Sequence, residues 1–435
     1  MSARETALNV LIACRKQGAW SNGVLKEYIL RDKLDRRDAA LAARLCYGVL
    51  QNRNRLDHAL KQLLTGKIRD LHPVIHDILH LGLYQLYEMD KIPASAAVNE
   101  SVSLAKKYCK KQHFAPGLVN AVLRNAIRTG DALKKPTTLE DIYSHPQVLI
   151  DLLLENVGEE RLENMLRANN ATPLTVAQVN TARITSEALL EKLRQEDVEA
   201  SLHPWLPSCL VLSNTGSLEK LDTFREGLFY VQDAAAKLSV LCAGIREGDH
   251  VLDCCAAPGG KTFAAAVAGA GSIISCDIHA HKTELIRSGA QRLGFGNITV
   301  LKQDASEFCP QWENSMDVVI ADVPCSGYGI IRKKPDIRFK DPASMAELPE
   351  LQKQIISNQA RYVKPGGTLL YSTCTLLKRE NEDVVNWFLS QRPDFYTEAL
   401  TLPEVFPENS DGMLTLVPGE FDTDGFFICR LRRKA

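Results

Sequence analysis

At 435 residues, 45% hydrophobic and 24% charged, the chain has an ordinary globular composition and length for about three domains. The formal charge of −1 hides a division: residues 1–140 carry 23 Lys and Arg against 13 Asp and Glu, and the remainder 29 against 40. Twelve cysteines without a C-x-x-C pair exclude a disulfide framework and indicate reduced thiols. A basic module on an acidic body points to a polyanionic partner, with solvated helix faces as the plainer alternative.

The first segment has apolar residues at helical spacing before Arg15 and Lys16, so it reads as an amphipathic helix and not a signal peptide. The longest weakly polar run, Phe263 to Cys276, is too short for a membrane span, so a cytoplasmic protein without membrane contact is expected. Residues 1–135 read as an all-helical domain. Leu41, Leu45 and Val49 set one apolar stripe, Ile75, Ile78 and Leu79 another, and Val119, Val122 and Leu123 a third. Asp35 suits a helix start, Gly130 a helix end and Pro93 a connection. Lys106, Lys107, Lys110, Lys111 and Arg124 form a basic cluster late in this domain. The segment Gly117 to Arg124 resembles the last helices of NusB, a small helical RNA-binding protein, and the resemblance implies that this cluster meets RNA.

Lys134 to Thr138 reads as a linker. Residues 140–220 mix helical stretches near Leu149–Leu154, Leu162–Leu166 and Ser186–Arg194 with strands near Leu174–Val179 and Cys209–Leu212. That is a small α+β module of no legible function. Residues 225–435 alternate helices with apolar strands ending at Asp253, Asp277, Leu301, Ile320 and Tyr371, and a late strand runs to Leu431. Such alternation implies a doubly wound, mostly parallel α/β sheet.

The first of these strands enters Cys255-Ala256-Ala257-Pro258-Gly259-Gly260-Lys261, where small residues let backbone approach a ligand at a helix N-terminus. Cys255 stands where a P-loop needs its first glycine, and G-x-G-x-x-G is absent, so neither nucleotide fingerprint applies. Asp277 lies 18 residues beyond Gly259, at the distance of a ribose-binding carboxylate, and Asp304 ends the third strand, where it can read an adenine. Ribose and base without pyrophosphate describe S-adenosylmethionine (SAM). The ten histidines do not neighbour cysteine pairs at zinc spacing, so no metal is expected.

Two later turns carry the reacting groups: Asp322-Val323-Pro324-Cys325-Ser326-Gly327 and Ser372-Thr373-Cys374-Thr375. Together with Ala256 to Thr262 they resemble the motifs of the RNA cytosine-C5 methyltransferases over residues 230–435. With the NusB-like domain, the whole chain resembles the RsmB/Sun/Fmu family of 16S rRNA (cytosine-C5) methyltransferases. The resemblance implies a Rossmann-like SAM-dependent domain, with Cys255 to Lys261, Asp277, Lys282 (where relatives often carry Arg), Asp304 and Asp322 at the SAM site.

Cytosine C5 is too weak a nucleophile to take a methyl group unaided. A thiolate added at C6 makes the ring an enamine, and proton support at N3 is expected from a carboxyl group such as Asp322. The residues alone do not say which cysteine attacks; the resemblance makes Cys374 the nucleophile and Cys325 the residue that assists release. Arg332, Lys333, Lys334 and Arg338 follow the Cys325 turn and are expected to meet phosphates beside the target, the alternative being a solvated loop. A monomer acting on 16S rRNA is the expected form. A tRNA cytosine-C5 methyltransferase and an inactive RNA-binding assembly factor are the competing readings.

Overall fold

The computed structural model describes residues 1–17 and 20–435, and the chain divides into two compact units. The first comprises Met1–Glu155 and Ile331–Lys340. Its helices up to residue 130 are α1 (Ala3–Gln17), α2 (Ser21–Arg31), α3 (Arg36–Gln51), α4 (Arg53–Leu63), α5 (Pro73–Glu88), α6 (Ala94–Tyr108) and α7 (Ala115–Thr129), and Leu139–Tyr143 and most of Gln147–Val157 follow. Helix α5 buries residues on every side, among them Val74, Ile75, Ile78, Leu79, Leu81 and Leu83, and is the centre of a leucine-rich core. The Asp35 carboxylate accepts from the Asp38 amide to start α3, Pro93 precedes α6, and Gly130, at φ 48, ends α7.

Residues 331–340 are built into this helical unit, and their placement corrects the sequence reading. Arg338 is 2% exposed. Its Nη1 donates to the carbonyls of Gln51 at 2.9 Å, Ser144 at 3.3 Å and Tyr143 at 3.5 Å, and burial pulls its pKa down to about 9. Asp336 beside it accepts from the Ser21 hydroxyl at 2.7 Å. Arg332 is likewise buried, at 7% exposure, while Lys333 and Lys334 are half-buried, with the Lys334 ammonium 5.7 Å from the Trp20 ring. The two arginines expected on phosphates are internal. A run of basic letters is silent on burial, and a guanidinium, with five donors, is the cation best suited to saturating carbonyls inside a fold.

The second unit spans Asn156–Ile330 and Asp341–Ala435. Its strands are β1 (Thr175–Val179), β2 (Glu199–Leu202), β3 (Cys209–Ser213), β4 (Phe229–Val231), β5 (His250–Asp253), β6 (Ser272–Asp277), β7 (Ile298–Lys302), β8 (Met316–Asp322), β9 (Val363–Thr373), β10 (Phe395–Thr397), β11 (Met413–Leu416) and β12 (Phe426–Arg433). The first four form an antiparallel sheet in the order β2-β3-β1-β4. Strand β4 pairs with β1, so it extends the small module's sheet although it lies beyond residue 225.

The larger sheet runs β10-β12-β9-β8-β5-β6-β7, with β11 on β12. Its centre is parallel, and β12 returns antiparallel to β9. Strand order reverses between β5 and β8, which opens a crevice at their carboxyl ends, where such sheets bind ligands. Helices cover both faces. Ala234–Ala243 and Gly260–Val267 pack with Val251, Ile273 and Ile320, while Leu348–Gln359 and Glu382–Gln391 pack with Val319, Leu369 and Phe427.

Candidate active site

Strands β8 and β9 pair in parallel with Asp322 opposite Ser372, so the turns that follow them leave the sheet side by side. Cys325 and Cys374, 49 residues apart, thereby meet with their sulfurs 3.2 Å from each other. The Cys374 amide also points at the Cys325 sulfur, at 3.3 Å. The contact with Cys374, followed by burial, pushes the Cys325 thiol well above its ordinary pKa, so Cys325 keeps its proton at neutral pH. Both residues are half-buried, and all twelve cysteines are free thiols.

Asp322 stands at the end of β8 between two donors. The Lys261 ammonium reaches Oδ2 at 2.7 Å and the Ser372 hydroxyl reaches Oδ1 at 2.8 Å. Lys261 is 8% exposed and its ammonium lies 5.0 Å from the Phe426 ring, so this charge is held in one direction. Gly259, at φ 113, turns the chain into the helix that carries Lys261, and an added Cβ there would lie 2.5 Å from the Phe263 ring.

The Cys325 turn is held from behind by residues that the sequence reading missed. Glu380 is fully buried, and its Oε2 accepts from the Ser326 amide and from Gln352 Nε2, both at 2.9 Å. Gln352 Nε2 also donates to the Pro324 carbonyl at 2.9 Å, and the Ser326 and Thr375 hydroxyls are 2.7 Å apart. The Cys374 turn is held by Asn381, which accepts from the Thr373 hydroxyl at 2.6 Å and donates to the Thr375 carbonyl at 3.1 Å. The Gly329 amide donates to the Cys374 carbonyl at 2.9 Å. A Cβ on Gly329 would lie 2.0 Å from the Gly425 carbonyl oxygen, so only glycine passes there. No local pattern marks Glu380 or Gln352; a carboxylate just after a cysteine turn was the one available signal.

The cofactor-side residues occupy the ends of β5, β6 and β7. Asp253 is buried, accepts from the Thr262 hydroxyl at 2.8 Å, and burial pushes its pKa up to about 7. Asp277 is 7% exposed and takes the His279 amide on Oδ1 at 2.9 Å. Asp304 accepts from the Ser306 amide and hydroxyl, at 2.8 and 2.7 Å, and Lys282 is half-buried in the first turn of Ala280–Leu293. Cys255, Ala256, Ala257, Pro258 and Gly260 line the turn between Asp253 and Lys261, with the Ala257–Pro258 peptide cis. In the helical unit Lys106, Lys107, Lys110, Lys111 and Arg124 are exposed; Lys107 pairs with Glu5 at 2.5 Å and Arg124 donates to Asn120 at 3.0 Å.

A doubly wound sheet with a glycine turn after its first strand and acidic residues at successive strand ends defines a Rossmann-like methyltransferase domain, here joined to a NusB-like helical domain. Family models agree in each part: the NusB family over residues 1–128, the ferredoxin-like domain of the RsmF/B-like methyltransferases over 145–219, and the 16S rRNA methyltransferase RsmB/F over 240–432. The probable ribosomal RNA small subunit methyltransferase B of Bacillus subtilis is 35% identical over 445 residues, covering 100% of this chain and 99% of the relative. The chain belongs to the ribosomal RNA small subunit methyltransferase B family. Among solved structures, PH0851 superposes with a TM-score of 0.81 at 24% identity over 98% of both chains. NSun6 from Pyrococcus horikoshii, solved with SFG, gives 0.59 at 21% identity over 67% of this chain and 98% of its own. Among the described residues no helix is long and apolar enough to cross a membrane.

Proposed function

We propose that the protein transfers a methyl group from SAM to C5 of a cytosine in 16S rRNA through a covalent bond between Cys374 and C6. The observation that carries this is the 3.2 Å approach of the Cys325 and Cys374 sulfurs beside the fixed Asp322 carboxyl group. One thiol is enough for addition; a second within hydrogen-bond reach has a use only if a proton or the adduct is handled twice.

The Cys374 thiolate adds its electron pair to C6 while N3 takes a proton, which leaves an enamine with electron density at C5. The proton that N3 takes comes from the Asp322 carboxyl group in its protonated form, oriented by Lys261 and Ser372, and returns to it when the adduct collapses. SAM would supply an electrophilic methyl group, its sulfonium sulfur keeping the electron pair of the broken S–CH3 bond as a neutral thioether. After C5 has gained the methyl, its proton leaves to a base, the C5–C6 double bond re-forms, and the Cys374 sulfur departs with its electron pair. Cys325, which retains its proton, donates to that departing sulfur. Assistance of this kind contributes roughly 10²–10⁴-fold to a step.

The residues fit SAM. The small side chains of Cys255 to Gly260 let a ligand approach the backbone at a helix start, Lys261 neighbours Asp322, and Asp277, Lys282 and Asp304 stand at or just past the next strand ends. The same fold in NSun6 was solved with SFG, an analogue of SAM. The exposed Lys106, Lys107, Lys110, Lys111 and Arg124 provide the RNA backbone contacts, and base chemistry requires the target cytosine to leave its stack.

The test uses labelled SAM with 16S rRNA. Cys374→Ala is expected to abolish transfer, and Cys325→Ala to accumulate a protein–RNA adduct seen as a shifted band on a denaturing gel. Full turnover by Cys374→Ala, or an adduct formed by that variant, would overturn the assignment.

A further inference from the structure

The sequence reading expected no metal, because its histidines do not neighbour cysteine pairs. Folding brings two of them together in the helical unit with a carboxylate from another helix. His76 and His80 are four residues apart on α5, so their rings share one face and lie 4.1 Å apart between centroids. Both Nε2 atoms converge on one oxygen of Asp57 in α4: Oδ1 is 2.5 Å from His76 Nε2 and 2.8 Å from His80 Nε2. The three potential ligand atoms all lie within 4.8 Å of one another.

We propose that Asp57, His76 and His80 form a binding site for a divalent transition ion of the zinc class, fastening α4 to α5. Two imidazoles and a carboxylate are a ligand set that such ions favour. With bonds of about 2.0–2.1 Å, the ligand–ligand edge of a tetrahedral zinc site is about 3.3 Å, so the two Nε2–Oδ1 separations need to lengthen by less than about 1 Å to admit the ion. Burial is graded in a way that suits entry. The His80 side chain is 2% exposed and closes the inner side, while those of His76 and Asp57, at 16% and 25%, leave the outer side open for the ion and a fourth, water ligand. Binding through Nε2 requires each ring to carry its proton on Nδ1. Arg53, one turn before Asp57 on α4, opposes a cation here, and the Asp57 carboxylate must offset it.

The test is titration of chelator-treated, full-length protein with Co²⁺ alone, repeated for His76→Gln and Asp57→Asn. Both positions are partly exposed and both replacements are near-isosteric, and far-ultraviolet circular dichroism shows whether each variant is folded. The wild type is expected to take up one equivalent with visible d–d bands and no thiolate-to-cobalt charge-transfer band, and each variant to bind at least about tenfold more weakly. Zn²⁺ is expected to raise the melting temperature of the wild type and not of the variants. Absence of d–d bands, or a thiolate charge-transfer band that persists in His76→Gln, would overturn the proposal, the latter by placing the ion on cysteines.

Discussion

Glu380 touches neither of the reacting sulfurs, yet replacing it should reproduce the loss of Cys325. Its carboxylate is the acceptor for the Ser326 amide and for Gln352 Nε2, the side chain that also holds the Pro324 carbonyl. Glu380→Ala strands two buried donors. Each costs about 1–3 kcal/mol, together about 2–6 kcal/mol directed at the Pro324–Gly327 turn. At about 1.4 kcal/mol per factor of ten, the clamped turn falls in population by about 30-fold at the low end of that range. The charge of Glu380 is also among the causes that keep the Cys325 thiol protonated. Both effects remove the proton donor from beside Cys374. The assay is the denaturing-gel adduct experiment with single-turnover methyl transfer. Glu380→Ala is expected to form the Cys374 bond, release product at least about 30-fold more slowly, and accumulate adduct. Glu380→Gln, which keeps an oxygen toward the Ser326 amide, should recover most of the release rate. A folded Glu380→Ala protein that releases product within about threefold of wild type would refute the argument that this clamp positions Cys325.

Arg338→Met should destabilise the helical unit by about 3–4 kcal/mol, since it removes the donors held by Gln51, Ser144 and Tyr143 and leaves those carbonyls buried. Urea unfolding followed by circular dichroism checks this, and a loss below about 1 kcal/mol would show that water replaces the guanidinium. Asp253 binds its proton more tightly folded than unfolded, its pKa raised from 3.8 to about 7 by burial. Stability should therefore fall as pH rises between those values, and Asp253→Asn should flatten the slope and gain on wild type above pH 7. Parallel stability–pH curves for the two proteins would contradict that sign.

Local pattern was enough for the all-helical character of the first domain, with apolar stripes falling on α1, α3, α5 and α7, and for six strands of the larger sheet. Helical and strand periodicities are properties of neighbouring residues, and a buried parallel strand is a short apolar run. The strands not foreseen are the weak or displaced ones. Glu199–Leu202 is a four-residue strand that is mostly exposed, Phe395–Thr397 and Met413–Leu416 are short edge pieces, and Phe229–Val231 pairs outside its expected domain. The motifs at Ala256 to Lys261, Asp322 to Gly327 and Ser372 to Thr375 were visible because the chemistry needs those residue types next to one another in the chain.

Everything that depends on residues distant in sequence was left to tertiary structure. The same basic letters that suggested a phosphate-binding loop became an internal tie, because the carbonyls that receive Arg338 lie about 190 to 290 positions earlier in the chain. The Glu380 clamp, the meeting of Cys325 with Cys374, and the convergence of His76 and His80 on Asp57 have the same origin. Burial and pairing are consequences of packing, and packing is decided by surfaces that are not neighbours until the chain has folded. The residue types for thiol chemistry were present in the sequence; their 3.2 Å separation came from the register of two parallel strands.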